Sequence, residues 1–150
     1  MEFSKIVAVV GLPGLYQVIK SHKNGLLVRM LGEQRIELMS NQKQFSLLEA
    51  ISIYTKDIDS VALSEVLQSM QQRELDGTPP PATKVTDKDL ANYFSLVLPD
   101  YDRIRVSMND IKKIVKWYNI LKANNAIPKP NSANAENNTE NLQAEQQEAE

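Results

Sequence analysis

An α+β fold is predicted for this chain, with short strands in its first half, helices after them and a disordered tail. Three observations predict it. Asn24-Gly25 lies between two apolar runs, two later stretches repeat apolar residues at helical spacing, and residues 131–150 contain only Leu142 as a large apolar side chain.

The elements follow in order. Gly11-Leu12-Pro13-Gly14 reads as a tight turn feeding the first strand. Leu15–Ser21 and Leu26–Leu31 flank His22-Lys23-Asn24-Gly25 and make a β-hairpin. Gly32-Glu33 turns the chain again, and Gln34–Met39 alternates with Ile36 and Leu38 on one face; Ile51–Thr55 alternates likewise. Several short strands within about 55 residues suggest a small SH3-like barrel or a strongly curled sheet. Asp59 or Ser60 is placed to cap a helix bearing Leu63, Val66, Leu67 and Met70, which is expected to pack across the sheet. Thr86-Asp87-Lys88-Asp89 opens a second helix with Leu90, Tyr93, Phe94 and Val97 on one stripe. Pro99-Asp100-Tyr101-Asp102 ends it, Arg103–Val106 reads as extended, and Ser107 caps a third helix from Met108 to about Ala123.

Composition sets the domain plan. Residues 1–76 form the barrel and its helix, 77–85 a linker stiffened by Pro79-Pro80-Pro81, 86–127 the helical module and 128–150 the disordered acidic tail. The helical module is too small to stand alone, so its apolar faces should dock on each other and partly on the first module. The full chain carries 17 basic and 19 acidic residues, a net charge of −2, which excludes a whole-molecule drive toward nucleic acid or anionic lipid. The tail holds five of those acids and no Lys or Arg, so residues 1–130 carry +3. Cysteine is absent and histidine occurs once, at His22, which removes disulfides, thiol chemistry and Cys/His zinc sites. The longest apolar run, Ile6–Val10, cannot span a bilayer, and Glu2 with the early glycines and Pro13 spoils a secretory signal. Cytoplasmic residence is expected.

Four stretches carry a family resemblance: Gly11-Leu12-Pro13-Gly14-Leu15-Tyr16, Ile51-Ser52-Ile53-Tyr54-Thr55, Val97-Leu98-Pro99-Asp100-Tyr101-Asp102 and Asp110-Ile111-Lys112-Lys113-Ile114-Val115-Lys116-Trp117-Tyr118-Asn119. Over residues 3 to about 122 the chain resembles a family of small bacterial proteins classed as a domain of unknown function. The resemblance implies an SH3-like N-terminal part and a helical C-terminal part. It implies no activity, cofactor or catalytic residue.

The candidate sites differ in how much chemistry they carry. The Gly11–Gly14 turn makes a poor phosphate cradle, because Pro13 lacks a donor and no Lys-Ser/Thr follows. His22 falls in a hairpin turn that fixes it against no nucleophile. Asp100 and Asp102 raise the reading of a small metal-assisted hydrolase, but their Pro-Asp-Tyr-Asp setting argues for carboxylates that bond turn backbone. The last helix places Lys112, Lys113 and Lys116 opposite its apolar arc with Trp117 at the border, and residues 101–130 carry +5. Lysines beside an indole suit a nucleic-acid backbone and a stacked base. If Leu26, Val28, Met30, Ile36, Leu38, Ile51 and Ile53 point inward, then Arg29, Arg35, Tyr54 and Lys56 share the barrel exterior. The expected function is therefore a non-catalytic interaction or adaptor role, with no cofactor and no bound metal. RNA or DNA is the first partner and a protein scaffold the alternative; the hydrolase reading lacks a convergent nucleophile, base and electrophile.

Overall fold

The computed structural model describes residues 2–56, 60–81 and 85–129. Within them the elements are β1 (Ile6–Val9), β2 (Tyr16–His22), β3 (Gly25–Met30), β4 (Ile36–Ser40), β5 (Phe45–Leu47), β6 (Ser52–Tyr54), β7 (Ser60–Ala62), α1 (Leu63–Leu75), α2 (Asp87–Val97) and α3 (Met108–Ala123). Single 3-10 turns occupy Phe3–Lys5 and Leu48–Ala50. Five strands form one antiparallel sheet in the order β4-β3-β2-β1-β5, while β6 and β7 make a separate two-stranded ribbon. The class is α+β. Among the described residues no ladder joins the edge strands β4 and β5, so the sheet does not close into a barrel.

The hairpin lies where Asn24-Gly25 places it, with His22 opposite Gly25. β1, β5 and β7 add to the strands expected from sequence. β1 has no alternation to betray it because both its faces are covered: Ile6 joins the main core, while Val7 and Val9 join a second cluster with Tyr16, Val28 and Met39. β4 runs in the opposite phase to the expected one. Its register sets Glu37 opposite Val28 and Met39 opposite Leu26, so Ile36 and Leu38 lie on the other face, each 46% exposed. Met39 takes the interior place, being long and unbranched enough to fill it.

The strand expected at Ile51–Thr55 pairs with β7 rather than with the large sheet. That ribbon also starts α1. Leu63 N donates to the Ile51 carbonyl at 2.9 Å, and the N-cap is Ala62 with no side-chain cap. Ser60 lies in β7, and Asp59 lies outside the described residues. Instead of crossing the sheet, α1 packs on β7, the Leu48–Ala50 turn and α2. The later caps do form. Thr86 Oγ1 accepts from Asp89 N at 3.1 Å, and Ser107 and Asp110 make a reciprocal capping box at 3.1 and 2.9 Å.

One core runs through both halves of the chain: Ile6, Leu15 and Leu48 cluster with Leu63, Leu67 and Met70 of α1 and with Phe94, Ile111 and Tyr118 of α2 and α3. A polar clasp joins α1 to α3. Glu74 accepts from Tyr118 Oη at 2.7 Å and pairs with Lys122. Lys122 and then Tyr118 hold the Glu74 carboxyl below the usual range, while burial and the bond to Glu74 push the Tyr118 hydroxyl up. Burial, reinforced by the charge of Glu74, raises Tyr93 to about 12. Residues 78–81 of the expected linker have no regular structure. Its residues 82–84, and residues 130–150 of the disordered tail expected from 128, lie outside the described residues, whereas Lys129 is described with its carbonyl accepting from Gln68 Nε2 at 2.9 Å. Among the described residues no helix is long and apolar enough to cross a membrane.

Candidate binding cleft

The Pro-Asp-Tyr-Asp segment forms a turn whose position is set by β6. Asp102 N donates to the Tyr54 carbonyl at 2.9 Å and Lys56 N to the Asp100 carbonyl at 2.8 Å, with Thr55 bridged to Tyr101 between them. Tyr101 is buried against Phe94, ring centroids 4.9 Å apart at 73°. Arg103 closes over Tyr101 at 4.4 Å from the ring centroid.

Beyond this point the chain turns; the expected extended stretch at Arg103–Val106 does not form. Val106 N donates to the Asp102 carbonyl at 2.9 Å. The Asp102 carboxylate accepts from Ile104 N at 2.8 Å, from Arg105 N at 3.1 Å and from Arg105 Nε at 2.9 Å. The Arg105 N–H, then its guanidinium, then the Ile104 N–H hold this carboxyl below the ordinary range. Asp102 is thus occupied in holding the turn together. Among the described residues no group of three or more His, Asp or Glu is placed to hold a metal.

The Asp102 clamp aims Arg105. Its guanidinium lies 4.4 Å from the centroid of the Tyr54 ring, a cation–π distance. Tyr54 and Arg105 form one rim of an open cleft of about 600 Å³ floored by Val9, Ile53 and Ile114. The Gly11–Gly14 turn, closed by Leu12 N donating to the Val9 carbonyl at 3.1 Å, is one wall. Lys113, Lys116 and Trp117 line the cleft from α3, with Lys113 Nζ 6.0 Å from the Trp117 ring centroid.

Of the residues expected to bind a partner, Tyr54, Lys113, Lys116 and Trp117 therefore converge, and Arg29, Arg35, Lys56 and Lys112 do not line this cleft. Lys112 points to α2, where it pairs with Asp87 at 3.3 Å. The expected common face of Arg29, Arg35, Tyr54 and Lys56 does not form, because β6 belongs to the ribbon and β3 to the large sheet. Arg29 stands opposite Gln17 and Ile36 on β3, with its Nε buried. Arg35 is 83% exposed and pairs with Glu37 at 3.6 Å. His22 accepts from Asn24 N at 3.1 Å inside its turn.

Sequence reasoning passed over Arg105, and it set the Gly11–Gly14 turn aside as a tight turn that makes a poor phosphate cradle, without linking it to the helix cations. The turn belongs to one of the motifs quoted above. Three of those four motifs line the cleft and the fourth holds β6 in place. Arg105 stands just past the Pro-Asp-Tyr-Asp motif and carried no signal of its own.

Two family models match the chain, both described as a domain of unknown function: DUF5606 over residues 3–48 and DUF6852 over residues 51–121. Their junction falls at the Leu48–Ala50 turn, and the cleft draws on both sides of it. A solution NMR structure of a protein from Bacteroides vulgatus, a structural-genomics target, is similar at 36% identity with a TM-score of 0.68, covering 85% of this chain and 89% of that one. No curated protein matches the chain.

Proposed function

Since the chain belongs to a family of bacterial proteins classed as a domain of unknown function, we propose that it is a non-catalytic binding protein. Its cleft takes a single strand of RNA or DNA. The observation that carries this reading is the convergence of Arg105, Lys113 and Lys116 with Tyr54 and Trp117 on one cleft built from both domains. Phosphates meet the three cations, and a base stacks on the Trp117 indole while Arg105 occupies one side of the Tyr54 ring. An SH3-like origin for the sheet is supported by its order, a four-strand meander whose first strand also pairs with the fifth. A cytoplasmic setting accords with the lack of cysteine.

The test is a salt series on a single-stranded RNA and the matching DNA. Three cation–phosphate contacts give a slope of log affinity against log salt of about −2, so affinity falls roughly 15–20-fold between 50 and 200 mM salt. A Lys113→Gln, Lys116→Gln variant should bind weakly with a slope of about −0.7. No binding by the natural sequence at 50 mM salt would overturn the nucleic-acid reading. Nucleic-acid affinity that ignores salt would overturn the cation–phosphate contacts.

A further inference from the structure

We propose that the acidic segment 131–150 is the cleft's own intramolecular occupant, laying its glutamates over Lys113, Lys116 and Arg105 and competing with any external anionic ligand. The proposal deepens the reading of the cleft given above and rests on it for its functional meaning.

Charge, attachment point and length support it. The segment carries Glu136, Glu140, Glu145, Glu148 and Glu150 and no basic residue. On the cleft, Lys113 and Lys116 face one lining carboxylate, Asp110, which is bound to the Ser107 backbone in the capping box, while Arg105 is held through its Nε by Asp102 and keeps its outer guanidinium nitrogens toward the cleft rim. The attachment point is pinned at the end of α3. Ala126 is buried with its N–H on the Leu121 carbonyl at 2.8 Å, and the Lys129 carbonyl accepts from Gln68 Nε2 at 2.9 Å. Lys116 and Lys113 stand seven and ten residues before Ala123 on the same helix, about 10 and 15 Å back along its axis. Twenty residues extend to about 65 Å, and Glu136 alone can lie about 23 Å from Lys129. Reach therefore does not limit the contact.

Tethering does the rest. A segment held this close acts at about millimolar effective concentration, so even millimolar intrinsic affinity leaves it on the cleft half the time or more. An external ligand then binds two- to threefold more weakly than it would to the uncovered cleft. The contact is electrostatic and should fade as salt shortens the screening length.

The experiment uses the full chain. With no native cysteine, Ala144→Cys accepts a single nitroxide label, and the Trp117 indole N–H and the Lys113 and Lys116 amides report its approach by NMR line broadening. Broadening at these three signals that disappears in 0.5 M NaCl is expected. The same label in a chain also carrying Glu136→Gln, Glu140→Gln, Glu145→Gln, Glu148→Gln and Glu150→Gln should leave them sharp. Without the label, that five-fold variant should bind single-stranded RNA two- to threefold more tightly at low salt. Broadening that is absent, confined to the last turn of α3, or strongest at another basic patch would overturn the proposal. The contact is read without nucleic acid, so broadening with no RNA binding defeats only the nucleic-acid reading. RNA binding without broadening defeats only the tail contact.

Discussion

Gly25→Ala should be among the most damaging single substitutions in this protein. Gly25 lies opposite His22 on one side and Ser40 on the other, at the mouth of the β2–β3 hairpin. A Cβ built there lies 1.9 Å from the Met39 carbonyl oxygen, 2.9 Å from its carbonyl carbon and 3.1 Å from that of Ser40. Ordinary carbon–oxygen contact begins near 3.3 Å, so β4 must retreat by about 1.4 Å. The obstacle is backbone, which no rotamer change can relieve. Retreat strains or breaks one or two ladder hydrogen bonds at about 1 kcal/mol each, and draws Met39, 5% exposed, partly out of its cluster for about 1 kcal/mol more. Backbone strain at φ +154° adds about 1 kcal/mol. The total is about 3–4 kcal/mol, a large part of a small protein's stability, and lowers Tm by roughly 10–15 °C. Gly32→Ala is the control. Gly32 has φ +94° but open space around its Cβ position, so only conformational strain of about 1 kcal/mol applies. Thermal melts followed by circular dichroism, with urea titrations at unchanged m-value, measure both. Equal losses, or a Gly25→Ala loss below about 1 kcal/mol, would refute the close-approach argument.

Trp117→Ala should cost about 2 kcal/mol, because the half-buried indole packs against the main core, whereas Lys112→Ala should cost less than about 0.5 kcal/mol for one exposed ion pair; urea denaturation ranks them. Tyr118→Phe should cost about 1.5 kcal/mol by removing the hydroxyl that donates to Glu74, and a Glu74→Gln background should shrink that cost in a double-mutant cycle. Asp102 has a lowered pKa, so its contribution is fully present above the unfolded value near 4 and is lost as pH falls through the folded value. Asp102→Asn should therefore flatten the acid side of the stability profile below about pH 4 and free Arg105 from Tyr54; an unchanged acid limb in pH-dependent melts would contradict the assignment.

What the sequence by itself determined is local. Asn24-Gly25 marks a hairpin, Thr86 and Ser107 cap the helices they precede, and Ile111, Ile114, Val115, Tyr118 and Leu121 bury the face their spacing defines. Each signal acts within a few residues, through φ/ψ limits, capping bonds or helical periodicity. The tertiary structure decided what lies across chain-distant gaps. Gln34–Met39 offers two alternation phases, Ile36 with Leu38 or Glu37 with Met39, and only the partner strand and the space beside Val28 selected the second. Ile51–Thr55 carries a strand pattern that names no partner, and its pairing with β7 separated Tyr54 from Arg29 and brought it to Arg105. The cleft is legible in part for the same reason. Lys113, Lys116 and Trp117 share a helix and could be grouped by angle, but Tyr54, Arg105 and the Gly11–Gly14 turn meet them only after the core through Ile6, Leu48, Leu63 and Ile114 closes. Spacing along a chain encodes faces of single elements, whereas the juxtaposition of elements depends on which apolar faces pack together and exclude water.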